Sequence, residues 1–125
     1  MAVRILGVDD DVPIAAFLED MLSAKGFAVT VASNGPAALE LIRKQKPDLV
    51  VLDVMMPGMS GFDVCRAIKA DPATRDVKVI MATALDQLSY VEKAFSAGAC
   101  DYVIKPIDNQ RLLKKIELAL APRPK

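Results

Sequence analysis

Asp48-Leu49-Val50-Val51-Leu52-Asp53-Val54-Met55-Met56-Pro57-Gly58-Met59-Ser60-Gly61 is the stretch that decides the reading of this chain. The apolar run Leu49 to Leu52 ends in one carboxylate, Asp53, and a Pro57-Gly58 turn follows. That is the pattern of a buried strand delivering an acid to the edge of a sheet. An acid at the end of a hydrophobic strand is costly unless something compensates its charge. The compensating groups must come from elsewhere in the chain.

Outward from this stretch, apolar runs alternate with amphipathic segments. Val3 to Val8 stops at Asp9-Asp10-Asp11, after which Ile14, Phe17, Leu18, Met21 and Leu22 recur at helical spacing. Pro13 fits the first turn of that helix and Gly26 its C-terminal end. Phe27, Val29 and Val31 alternate with small or polar neighbours, as in a strand with one buried face, and Asn34-Gly35-Pro36 opens a helix carrying Ala38, Leu39, Leu41 and Ile42. Beyond the Pro57-Gly58 loop, Ser60 and Asp63 have the capping-box spacing ahead of Val64, Cys65 and Ile68, and Asp71-Pro72 interrupts that helix. Val77 to Ala82 reads as a fourth strand, and Leu88, Val91 and Phe95 mark a fourth helix ended by Gly98. Tyr102-Val103-Ile104 reads as a fifth strand, and Asp108 caps a last helix with Leu112, Leu113, Ile116 and Leu120. Strands that are continuous apolar runs, alternating with helices, imply a parallel sheet covered on both faces. The expected fold is a doubly wound α/β domain over residues 1–120, with 121–125 a tail or linker stub.

Composition narrows the function. A chain of 125 residues, 53% hydrophobic and 26% charged, has the makeup of one soluble globular domain. Its 16 basic and 16 acidic residues balance, so the electrostatic footprint of a nucleic-acid or anionic-membrane binder is missing, and neither is expected as a direct partner. No apolar run approaches the ~20 residues of a membrane span, and no signal-peptide pattern precedes Val3, so the expected location is cytoplasmic. Cys65 and Cys100 lack the short spacings of a zinc site and read as buried thiols. Histidine is absent, which excludes Ser-His-Asp and Cys-His catalysis and leaves carboxylates for acid chemistry.

In a doubly wound sheet, ligands bind where the carboxyl ends of the strands meet at a topological switch point. Strand one brings Asp9 and Asp10 there, strand three Asp53, strand four Thr83 followed by Ala84, and strand five Lys105 before Pro106. Three neighbouring carboxylates repel, and a hard divalent cation with oxygen ligands, Mg²⁺ above all, relieves that repulsion. Formal charge then closes, with three negative charges met by the metal's two and the lysine's one. A nearly neutral, oxygen-lined pocket with a metal and a lysine suits phosphoryl transfer, which depends on positioning and charge neutralisation. Asp53 is the natural nucleophile, forming an acyl phosphate. Mg²⁺ and Lys105 would hold phosphoryl oxygens, and the Thr83 hydroxyl would donate to another.

Val8-Asp9-Asp10, the run Leu52-Asp53-Val54-Met55-Met56-Pro57-Gly58 with Gly61, Thr83-Ala84 and Lys105-Pro106 follow one another at intervals that resemble the CheY-like receiver domain of two-component response regulators. The resemblance covers essentially the full length. It implies a flavodoxin-like sheet of strand order 2-1-3-4-5 and a phosphoprotein of bacterial phosphorelay signalling. Asp53 would take a phosphoryl group from the phosphohistidine of a partner histidine kinase or phosphotransfer protein. Asp10, Asp53 and the Met55 backbone carbonyl would ligate Mg²⁺, with Asp9 acting largely through water. Lys105 would pair with the phosphoryl group beside a Lys105-Pro106 bond that is cis in the family. Thr83 and Tyr102 would form the switch, the threonine moving toward the phosphoryl group and the ring inward, into room left by the small Ala84. The altered face, made by the fourth helix, fifth strand and fifth helix, would address a downstream protein or a fused output domain, or pair two copies as a homodimer. The chain would be no enzyme beyond catalysing its own phosphorylation and dephosphorylation. The stretch Asp53 to Arg66 is also similar to receivers placed before diguanylate cyclase or similar enzymatic outputs. Met55 and Leu85, each apolar and two residues past a site residue, are expected to limit an attacking water and lengthen the life of a phosphoaspartate.

Blander roles cover the remaining candidates. Asp11 reads as a helix N-cap outside the site. Tyr102 in isolation is a half-buried strand aromatic. Arg111, Lys114 and Lys115 read as a basic stripe on a solvated helix face, with no partner assigned. A haloacid-dehalogenase phosphatase would need a second acid where Met55 stands, and a dinucleotide-binding module would need a glycine-rich turn where Asp9-Asp10-Asp11 stands. A phosphorylation-independent interaction module of the same fold is the alternative, and the full set of Asp9, Asp10, Asp53, Thr83 and Lys105 argues against it.

Overall fold

A computed structural model describes residues 2–84 and 89–121. Its elements run β1 (Arg4–Val8), α1 (Val12–Ala24), β2 (Ala28–Ala32), α2 (Gly35–Lys44), β3 (Leu49–Asp53), α3 (Gly61–Ala70), β4 (Lys78–Ala84), α4 (Ser89–Ala97), β5 (Asp101–Lys105) and α5 (Asn109–Leu120). All strand pairs are parallel, in the order β2-β1-β3-β4-β5. This is the doubly wound sheet that the sequence pattern implies.

The unbroken apolar run of β3 follows from its central place. Every residue from Leu49 to Asp53 is buried. Leu49 and Val51 join Ile5, Ile80 and Val103 under α1 and α5, whose Leu18, Leu22, Leu112 and Ile116 complete one core layer. Val50 and Leu52 join Leu6, Val8, Val79 and Met81 under Ala38, Ile42, Val64 and Ile68 of α2 and α3. Each fully buried aliphatic side chain contributes roughly 1.5–3 kcal/mol, so a strand buried on both faces cannot alternate with polar residues. Edge strand β2 does alternate, its Val29 and Val31 being half-buried between exposed Ala28 and Thr30.

Side-chain caps fix where the helices leave the strand-end loops. Asp11 accepts from the Ile14 N–H at the start of α1, Asn34 from Ala37 at α2, and Asp108 from Arg111 at α5. Ser60 and Asp63 close a reciprocal capping box on α3. Asp11 is thus the cap its position suggested. Gly26, just past the Lys25 cap of α1, has a φ of 91°, the left-handed conformation that a side chain would strain.

Two details differ from the sequence reading. Cys65 is buried, and burial pushes its thiol up to about 11, but Cys100 is exposed. Cys100 lies before β5 rather than inside an element, and although its N–H donates to the Val79 carbonyl, the residue stays exposed. Phe95 is exposed because α4 turns its small residues Ala94 and Ala97 to the core. Leu85, Leu88 and residues 122–125 of the expected stub lie outside the described residues. No helix among the described residues is long and apolar enough to cross a membrane.

Candidate functional site

The strand register gathers the predicted residues at one edge. Asp53, the last residue of β3, pairs with Ala82 of β4, and Ala84 of β4 pairs with Lys105 of β5. Asp9 follows β1 directly and its N–H donates to Ala32 at the end of β2. One carboxylate oxygen from each of Asp9, Asp10 and Asp53 lies within 4.8 Å of the others. Asp9 and Asp53 are buried and Asp10 is exposed, so the cluster opens to solvent through Asp10.

Lys105 is the compensating group. Its ammonium donates to Asp53 Oδ1 and to Asp9 Oδ2, each at 2.9 Å. The other Asp9 oxygen accepts the Asp11 N–H at 2.9 Å, which fixes Asp9 in place. Burial raises Asp53 to about 6, the bond from Lys105 opposes that rise, and the Asp9 charge adds to it. A hydrogen bond from the Met55 backbone also favours the ionised form. Burial would pull Lys105 down, but its bonds to Asp53 and Asp9 outweigh this and hold the ammonium above the ordinary lysine range. Three carboxylates against one ammonium leave these four side chains two negative charges in excess. The donors are oxygen only, which suits a hard divalent cation such as Mg²⁺ rather than zinc.

Thr83 is almost wholly buried, and its Oγ1 has no hydrogen-bond partner among the described residues. An orphaned buried hydroxyl costs about 1–3 kcal/mol, so the site carries an unused donor beside its acids. The Lys105-Pro106 peptide is cis. Gly61 holds a place that only glycine fits, since a Cβ there would stand 2.2 Å from the Asp53 carbonyl oxygen. Its N–H donates to the Val54 carbonyl at 2.9 Å, so the start of α3 braces the peptide that carries Asp53.

Tyr102 is half-buried on β5, as a strand aromatic should be, and its ring meets Phe95 of α4 edge-on with centroids 6.2 Å apart. The basic stripe divides. Arg111 and Lys114 are exposed, but Lys115 is partly buried and donates to Asp101 Oδ1 at 2.9 Å and to the Tyr102 carbonyl. Its ammonium also lies 4.4 Å from the Tyr102 ring centroid. Lys115 sits next to buried Ile116 on the flank of α5 that packs against the sheet, a placement that the charge pattern alone did not signal.

The sequence matches the model of the response regulator receiver domain over residues 5–117. It is 43% identical to the response regulator PleD of Caulobacter vibrioides over 116 residues, covering 93% of this chain and 26% of that protein. It is 40% identical to the DNA-binding response regulator MtrA of Mycobacterium tuberculosis over 120 residues, covering 96% of this chain and 51% of that protein. The chain thus spans about a quarter to a half of the length of these curated relatives. Among solved structures, the chemotaxis protein CheY4 of Vibrio cholerae superposes with a TM-score of 0.91 at 27% identity, covering 96% of this chain and all of that one. The receiver domain of the Francisella response regulator 1452 gives 0.85 at 29% identity, covering 94% of this chain and 95% of that one. With the family's sequence pattern across nearly its whole length and the family's sheet beneath it, this chain belongs to the response regulator receiver domains.

Proposed function

We propose that Asp53 accepts a phosphoryl group from the phosphohistidine of a partner histidine kinase or phosphotransfer protein, in a Mg²⁺-dependent reaction, and that the α4-β5-α5 face passes the signal on. The observation that carries this reading is the buried Asp53 carboxylate, held by Lys105 within a three-acid cluster. Asp10, Asp53 and the Met55 carbonyl would hold the metal, with Asp9 acting through water, and the metal would neutralise the phosphoryl oxygens.

An Asp53 carboxylate oxygen attacks phosphorus as the bond to the donor imidazole breaks; its electron pair leaves with the imidazole, which is protonated on departure. Because this chain has no histidine, the donor is another protein or domain. Lys105 trades its bond to Asp53 for one to a phosphoryl oxygen. The Thr83 hydroxyl donates to another, which would satisfy the orphaned group. The acyl phosphate carries about −2 where the carboxylate carried −1, and this extra charge draws Thr83 in and lets the Tyr102 ring follow. A groove of about 300 Å³ lined by Pro13, Ile14, Phe17, Lys105, Pro106 and Ile107 borders the site and supports docking of the donor there. The signal goes to a downstream protein or a fused output domain, with homodimerisation through the same face as a further outcome.

The test is intact-mass analysis after incubation with acetyl phosphate, with and without Mg²⁺, on the parent and on Asp53→Asn. A metal-dependent gain of one phosphoryl group in the parent alone is expected. No gain in the parent would favour a phosphorylation-independent interaction module.

A further inference from the structure

We propose that Lys115 is a positioning residue of the switch, an ammonium clamp that holds the Tyr102 ring in its resting place. This rests on the reading of Tyr102 given above. Three contacts converge on one nitrogen. Lys115 Nζ donates to Asp101 Oδ1 at 2.9 Å, donates to the Tyr102 carbonyl, and lies 4.4 Å from the Tyr102 ring centroid. Asp101 Oδ1 also accepts the Tyr102 N–H at 2.8 Å. The peptide of Tyr102 is therefore tied at both its N–H and its C=O to a single ion pair, and the same cation faces the ring. Phe95 meets that ring edge-on from α4, so the aromatic group is held between two helices.

These contacts make Lys115 a link between α5 and the moving part of β5. Inward travel of the ring takes its face away from the ammonium, while the backbone bonds keep Lys115 anchored to the strand. The clamp thus favours the resting conformer, and a change that weakens it raises the population of the inward one. Neighbouring Lys114 has the same charge but is exposed, which makes it an internal control.

The experiment uses chain labelled with 3-fluorotyrosine in a Tyr90→Phe background, which leaves Tyr102 as the only reporter. In the free protein, Lys115→Met is expected to shift and broaden the Tyr102 fluorine resonance. Lys115→Arg should restore the parent spectrum, and Lys114→Met should leave it unmoved. With acetyl phosphate and Mg²⁺, Lys115→Met should accumulate phosphoprotein about twofold to fivefold faster than the parent, the factor that a partly exposed cation–π contact carries. A parental resonance in a cooperatively melting Lys115→Met overturns the clamp, as does an equal shift from Lys114→Met. An unchanged phosphorylation rate in Lys115→Met overturns its coupling to the switch. If the parent takes up no phosphoryl group, the proposed function fails instead, and the free-state spectrum still decides the clamp. Should Lys115→Met not fold, Asp101→Asn serves in its place, and an unshifted resonance there overturns the proposal.

Discussion

A Cβ on Gly61 would lie 2.2 Å from the carbonyl oxygen of Asp53 and 2.9 Å from the Val54 Cα. Backbone, not a flexible side chain, occupies the space, so nothing can yield cheaply. Gly61→Ala should cost roughly 1–3 kcal/mol in denaturant unfolding, by the ordinary cost of overpacking. It should also slow phosphoryl uptake by about tenfold to a hundredfold through misplacement of the acid.

Asp53 in the metal-free chain has a folded pKa of about 6 against a reference value of 3.8. Because the folded value is raised, the ionised acid destabilises the fold. The penalty is absent below the unfolded pKa, grows as pH rises between the two values, and is complete above the higher one. Asp53→Asn in chelator should therefore melt higher than the parent at about pH 7.5, by up to roughly 1–3 kcal/mol, with little difference near pH 4. Mg²⁺ should raise the melting temperature of the parent more than that of Asp53→Asn or Asp10→Asn.

Removing Lys105 leaves two buried carboxylates without their cation. Lys105→Met should destabilise the metal-free chain by up to roughly 3–5 kcal/mol near neutral pH. Without Lys105 to lower it, Asp53 takes up its proton above the parent's value of about 6, so the loss should shrink as pH falls toward about 6 and level off below it. Thermal melts across pH on this variant and on Lys105→Met/Asp53→Asn would check both statements, the double substitution recovering part of the loss.

Thr83→Val replaces an orphaned hydroxyl with a methyl of nearly the same shape. A gain in stability of about 1 kcal/mol is expected. The same variant should be phosphorylated yet fail to move Tyr102, so that stability and signalling part company at one atom. Melting curves and the Tyr102 fluorine resonance with acetyl phosphate would read the two effects separately.

The sheet and its acidic edge were legible in the sequence because their causes are local or periodic. A strand buried on both faces must be uniformly apolar, as Leu49–Leu52 is, and an acid at its end stands out against that run. Caps such as Asp11 and Asp108 announce themselves by spacing to the helix they start. Lys115 was not legible, since its partners Asp101 and Tyr102 sit across a strand-to-helix connection and no periodicity links them. Cys100 was misread for a similar reason. Its small apolar neighbours suggest burial, but whether a helix covers that end of the sheet is a tertiary matter.

Asp53 ends the middle strand of five, whereas Lys105 and Tyr102 share the border strand, which is laced to the sheet along β4 alone. A stiff centre can keep chemical geometry constant while a compliant margin takes up displacement. The lysine reaches across from that margin to the central acid, much as a string runs from a fixed post to a loose hem. Under the proposed function, a change at the post would reach the border strand through this one lysine, and the interior would not have to be repacked for the message to leave.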